Sequence, residues 1–157
     1  MLPGAVRVVP CEFRLVGAAW HDRAVTTGSL HLSVRIDRPV SEVYAFASDL
    51  ANVPRWAPGL GSEVVHEDGG WFVETSDGRA RVEMAPPNLF GVLDHEVTTP
   101  SGEIVHVPMR AIADGDGCEV VFTLRRSPGM TDADLERDAA LVTADLARLK
   151  SVLEGAR

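Results

Sequence analysis

From residue 29 onward the spacing of hydrophobic and polar positions changes period several times, and each change marks an element. Leu30, Leu32, Val34 and Ile36 alternate with His31, Ser33, Arg35 and Asp37, the pattern of a half-buried strand. Arg38-Pro39 ends it, because proline cannot donate to a ladder and fixes its own φ. Ser41 is then a suitable N-cap, and Val43, Tyr44, Phe46 and Ala47 follow at helical spacing. A second short helical piece spans Leu50 to Arg55 and runs into Trp56-Ala57-Pro58-Gly59.

After Gly59 period two takes over. Glu63 to His66, Trp71 to Thr75 and Arg79 to Met84 read as strands, separated by the turns Glu67-Asp68-Gly69-Gly70 and Ser76-Asp77-Gly78. Ala80, Val82 and Met84 share one face. Ala85-Pro86-Pro87-Asn88 forbids further strand, and Phe90 to Thr98 then pairs with Glu103 to Ile112 across Thr99-Pro100-Ser101-Gly102. The turn Asp114-Gly115-Asp116-Gly117 joins that hairpin to Glu119 to Arg125 and sets Met109 opposite Phe122 and Val107 opposite Leu124. Val105, Val107, Met109, Ala111, Val120, Phe122 and Leu124 therefore form one apolar face, which is placed inward. His106, Pro108 and Arg110 fall on the other, and a bulge at Pro108 would flip part of this assignment.

The C-terminal pattern is helical throughout. Leu135, Ala139, Val142, Leu146, Leu149 and Leu153 step by fours and threes into one stripe. Thr131 and Asp134 stand at capping-box spacing after the breaker Ser127-Pro128-Gly129. Acids crowd the first turns, Arg148 and Lys150 come late, and Gly155 is a natural stop. A helix this long with one apolar stripe needs a broad surface, which a curved antiparallel sheet supplies.

The sum is an α+β chain in helix-grip order: a strand, two short helices, and a curved antiparallel sheet of about seven strands in all wrapped around a long C-terminal helix. The segments "RPVSEVYAF" and "LANVPRWAPG" after the first strand resemble the opening of the START/Bet v 1-like (SRPBCC) superfamily, in its polyketide cyclase/dehydrase branch. The later segments "FGVLDHEVTTPSGEIVHVPMR" and "GDGCEVVFTLRRSPGM" are similar to bacterial members of unknown function. The resemblance covers roughly residues 29 to 155. It implies a cavity for a small hydrophobic ligand between sheet and helix, and it names no ligand.

Composition narrows the partners. At 157 residues, 45% hydrophobic and 24% charged, the chain has the make-up of one soluble domain of ordinary size. No apolar run approaches the roughly 20 residues that span a bilayer, so no integral membrane contact is expected. A formal charge of −8 repels phosphate backbones, which argues against nucleic acid. Cys11 and Cys118 follow no metal or redox spacing and are expected as free thiols of a cytoplasmic protein, a monomer or a homodimer. Residues 1–28 differ from the rest, with three arginines against two acids and no signal-peptide pattern. They read as an N-terminal extension with a short strand at Phe13 to Val16, or as an over-long start to a protein beginning near Val25; residues 29–157 form the ligand-binding domain.

The lining expected for the cavity is Trp71 and Val73, Val82 and Met84, Leu93 and His95, Val107 and Met109, Phe122, and Val142 with Leu146 from the long helix. Trp56 is suited to the mouth or floor and Tyr44 can offer a hydroxyl, although rim or core packing explains both equally well. Leu93 and Val97 carry His95 inward, where desolvation would lower its pKa and leave a neutral imidazole able to move a proton. The competing reading is a core histidine bonded to one carbonyl. Arg110 would clamp a ligand carboxylate only in a slipped register; the favoured reading is an outer-face ion pair with Asp94 or Glu96. The five histidines show no metal spacing, and no nucleophile elbow, phosphate loop or other cofactor motif occurs.

Three functions follow in order of preference. The first is reversible binding of a small hydrophobic or aromatic molecule, lipid-like or polyketide-like. The second is a metal-free cyclase, aromatase or dehydratase using His95, with Tyr44 or Arg110 polarising a carbonyl. The third is a protein-binding module docking through the long helix or the N-terminal extension.

Overall fold

The alternation in Leu30 to Ile36 becomes strand β1 (Ser29–Ile36), whose apolar positions grow more buried toward Ile36, and Ile36 is fully covered. Residues 28–58, 63–75 and 78–155 are described by the computed structural model; the proposed extension and Cys11 lie outside them. Helix α1 (Val40–Ser48) follows, then a 3-10 turn (Leu50–Asn52) and the short helix α2 (Val53–Trp56). Ser41 does not cap α1. Pro39 occupies that position with extended backbone and no side-chain bond, and its carbonyl accepts the N–H groups of Glu42 at 3.0 Å and Val43 at 3.2 Å.

The strands are β2 (Glu63–Glu67), β3 (Gly70–Thr75), β4 (Gly78–Met84), β5 (His95–Thr98), β6 (Ile104–Val107), β7 (Met109–Asp114) and β8 (Gly117–Arg125). All pairings are antiparallel, in the orders β1-β8-β7 and β2-β3-β4-β5-β6. Asp68 and Gly69 both take positive φ, 50° and 74°, as a two-residue turn between twisted strands requires. Met109 pairs with Phe122 as the turn spacing predicts. Val107 does not pair with Leu124, however, because Pro108 divides the predicted strand into β6 and β7 and raises the total to eight among the described residues.

The division is partly healed by a side chain. Pro108 has no N–H, while its carbonyl accepts from Thr123 N–H at 2.9 Å. The next donor, Met109 N–H, goes to the carboxylate of Asp94 at 2.8 Å, and Leu93 N–H returns to Met109 O at 2.9 Å. Val92 and Arg110 form an isolated bridge in the same direction, so residues 91–93 continue the line of β5 onto β7. Arg110 pairs with Asp94, the favoured outer-face contact, and His106 with Glu96 at 3.0 Å.

Helix α3 (Asp132–Gly155) lays its stripe on β1, β8 and α2; Leu135, Leu146, Leu149 and Leu153 are buried. Arg148 and Lys150 lie too early to serve the last turn. They instead donate to Arg55 O at 3.0 Å and Arg35 O at 2.7 Å, while Arg38 donates to Leu153 O at 3.0 Å. The helix is thus pinned at both its neighbours.

The capping box forms as the spacing predicts. Asp134 accepts from Thr131 N–H (3.0 Å) and hydroxyl (2.6 Å), and Thr131 Oγ1 accepts from Asp134 N–H (3.2 Å). These bonds, with Arg137, hold the Asp134 carboxyl at about 2. A carboxyl that titrates below its unfolded value stabilises the fold above about pH 4 and loses that contribution as the pH falls toward 2. The denaturation midpoints of wild type and Asp134→Asn should therefore differ at neutral pH and converge between about pH 4 and pH 2. A gap that persists at pH 2 would mean the charge is not what Asp134 contributes.

Candidate functional site

Between α3, the two short helices and the inner sheet face lies a cavity of about 100 Å³. Period-two alternation supplies its sheet side: Trp71, Val73 and Thr75 from β3, Ala80, Val82 and Met84 from β4, and His95 and Val97 from β5. Val64, Met109 and Phe122 add one side chain each from β2, β7 and β8. The short helices contribute Ala47, Leu50, Val53, Trp56 and the adjoining Ala57, and α3 contributes Val142, Asp145 and Leu146. The wall is overwhelmingly apolar, and among the described residues no lysine or arginine belongs to it.

Ten of the predicted residues meet at this wall: Trp56, Trp71, Val73, Val82, Met84, His95, Met109, Phe122, Val142 and Leu146. Four do not. Leu93 is on the same strand face as His95 but is wholly buried in the core beside the cavity, with no exposed surface left. Val107 precedes the Pro108 break and borders outer grooves instead. Tyr44 lines a separate groove with Pro86 and Pro87, and its hydroxyl accepts Asn88 N–H at 3.0 Å. Arg110 is held outside by Asp94.

The polar groups at the wall are few. His95 Nδ1 donates to Leu93 O at 3.1 Å, since a carbonyl can only accept. Burial pushes the imidazole below its ordinary value, the carbonyl bond opposing, so the ring is neutral near pH 7 and Nε2 is left as an acceptor. His95 is thus inward and bonded to one carbonyl. Thr75 donates its hydroxyl to Gly78 O at 2.7 Å.

Two polar groups escaped the sequence reading. Asp145 sits one turn from Val142 and beside Leu146, at the edge of the apolar stripe, where a charged side chain is ordinarily assigned to solvent. Burial raises its pKa, with Arg148 partly opposing. The indole N–H of Trp56 is buried and has no hydrogen-bond partner among the described residues, while the residue is only 6% exposed. Ala47, Leu50, Val53 and Ala57 were also missed, because helices this short carry too little periodicity to show which side faces the sheet.

These features agree with comparisons against known proteins. DynU16, a protein of the dynemicin biosynthetic locus, superposes with a TM-score of 0.61 at 18% identity over 82% of this chain and 48% of its own. This chain thus spans about half of DynU16. CalU16 from Micromonospora echinospora gives 0.60 at 18% identity, covering 82% of this chain and 76% of that one. Ara h 8.0201 gives 0.59 at 12% identity, covering 82% and 99%. At such identities these likenesses establish the helix-grip fold alone. No curated protein matches by sequence. The model of one family, described as polyketide cyclase / dehydrase and lipid transport, matches residues 27–154, and the chain belongs to that family.

Proposed function

We propose that this domain reversibly binds a small hydrophobic or aromatic molecule in the cavity between sheet and α3. The family supports a ligand-binding or polyketide-related role in general terms. The observation that carries the finer reading is the wall itself, an apolar lining drawn from ten separate elements and turns with only a few polar groups. A core built only for stability would close such a space, since each lost contact costs packing energy. The relative in a biosynthetic locus fits a small-molecule occupant. Met84 and Met109 are unbranched and let the wall adjust to differing shapes.

The direct test is native mass spectrometry of the protein purified gently from its host, set against its denatured mass. A bound species of defined mass is expected. Bare protein that also fails to take up small neutral aromatics would overturn carriage.

One observation favours a second reading, in which the same cavity is an active site. His95 is neutral and lines the cavity, and its Nε2 has the acceptor character that a general base requires. Once an occupant is known, the readings separate on one variant. Catalysis predicts that His95→Ala lowers turnover by about 100-fold or more with affinity nearly unchanged. Carriage predicts a change in affinity alone.

A further inference from the structure

Leu89 and Phe90 stand side by side in the loop between β4 and β5 and are 99% and 85% exposed. A lone apolar side chain on a surface is ordinary, but an adjacent pair this bare, held rigidly, marks an interaction site. The hold is built around Asn88. Its Oδ1 accepts the N–H groups of Phe90 and Val92, its Nδ2 donates to Pro86 O and Val92 O, and its own N–H donates to the Tyr44 hydroxyl, each at 3.0 Å. Pro86 and Pro87 fix φ before the pair, and Gly91 O accepts Ala111 N–H at 2.9 Å after it. The loop is thus set before any partner arrives, which lowers the entropy lost on docking. Beside the pair opens a groove of about 410 Å³, walled by Pro86, Pro87 and Val92 of the same loop and by Tyr44, Leu50 and Met84 beyond them. Charged side chains in that groove are already engaged: Asp49 accepts Ala51 N–H at 3.0 Å, and Arg81 pairs with Glu83 at 3.5 Å.

We propose that two copies of this chain exchange these loops, each setting its Leu89 and Phe90 into the groove beside the other's loop. Symmetry is the first argument. A two-fold contact needs a surface that is its own complement, and here knob and groove are parts of one loop. Area is the second. A buried aromatic side chain covers roughly 150–250 Å². With leucine beside it, and with each copy both giving and receiving, the exchange covers roughly 1,200 Å², the lower bound of stable complexes. Loops that merely touched across the axis would bury about half of that and would not hold two copies together. Charge is the third. Residues 84–93 carry no charged side chain, so the loops meet without a like-charge pair and offer an anionic lipid surface no cation. The formal −8 on each copy still opposes their approach at long range.

Sedimentation equilibrium of the full chain, from about 1 µM to about 500 µM, reads the association directly. A monomer–dimer equilibrium with a Kd of about 1–100 µM is expected. Added sodium chloride should tighten it, because salt screens the repulsion between two acidic copies. Phe90→Ala should weaken it by about tenfold or more. Leu89→Asp combined with Phe90→Asp should leave only monomer, at positions too exposed for the fold to depend on them. Ser48→Arg, at the last residue of α1 and in the groove wall, should also leave only monomer. Mixing those two variants should restore association, since the intact loop of one fits the open groove of the other. A wild type that stays monomeric throughout, a double-aspartate variant that dimerises undiminished, or a mixture that fails to associate would overturn the proposal. A monomeric wild type that co-sediments with phosphatidylcholine vesicles would overturn it too, and would assign the pair to a lipid surface.

Discussion

Replacing Gly91 with alanine is expected to cost about 3–5 kcal/mol, among the largest losses any single substitution here should produce. Gly91 holds φ at 69°, a region that side chains rarely adopt. A Cβ built on it would lie 2.0 Å from the carbonyl oxygen of Ala111. The backbone cannot easily withdraw, because Gly91 O accepts Ala111 N–H at 2.9 Å and Asn88 binds the loop from both sides. The strain would propagate to Leu93 and so to the seat of His95. Gly129→Ala is the control: its φ is 85°, yet nothing lies within 4 Å of the new methyl. Conformation alone should cost about 1 kcal/mol there. Equal losses for the two variants in chemical denaturation would show that the approach to Ala111 is not restrictive.

The second large effect concerns binding. Ala80 is buried on β4, opposite Val73 in the ladder, and faces the cavity. Ala80→Phe should put a ring where the ligand belongs. The expected result is a loss of affinity for a neutral aromatic probe of about thirtyfold or more, roughly 2 kcal/mol. Stability should change by no more than about 1–3 kcal/mol, the ordinary range for an enlarged core side chain, because part of the ring enters existing space. Unchanged affinity in a folded variant would place the ligand somewhere else on the molecule.

Much of this architecture was legible because it depends on repetition. The α3 stripe, the Thr131–Asp134 box and the Met109–Phe122 pairing each follow from a period or a fixed spacing, and all three are present. Inward placement of His95 came from the same alternation, through Leu93 and Val97. What failed depended on single residues whose surroundings lie far off in sequence. Alternation cannot say that Pro108 would stop one ladder and that Asp94 would serve Met109 in its place. It also cannot separate a cavity wall from the core behind it, so Leu93 and His95 looked equivalent. Tyr44 was misplaced because its hydroxyl partner is the backbone of Asn88, 44 residues away. Asp145 was overlooked because its charge suggested water, whereas its position on α3 put it at the wall.

The pairing of β1 with β8 has a consequence for how the chain is made. Ser29 meets Arg125 and Ile36 meets Cys118, so β1, the first strand among the described residues, finds its partner about a hundred residues downstream. At synthesis rates of about 5–20 residues per second, Leu30, Leu32, Val34 and Ile36 must wait several seconds for cover. Contacts this distant slow folding, because a long loop must close before any of them stabilises the chain. The arginine and histidine set between those apolar positions keep the waiting strand soluble, and a strand synthesised early becomes one of the last to be secured.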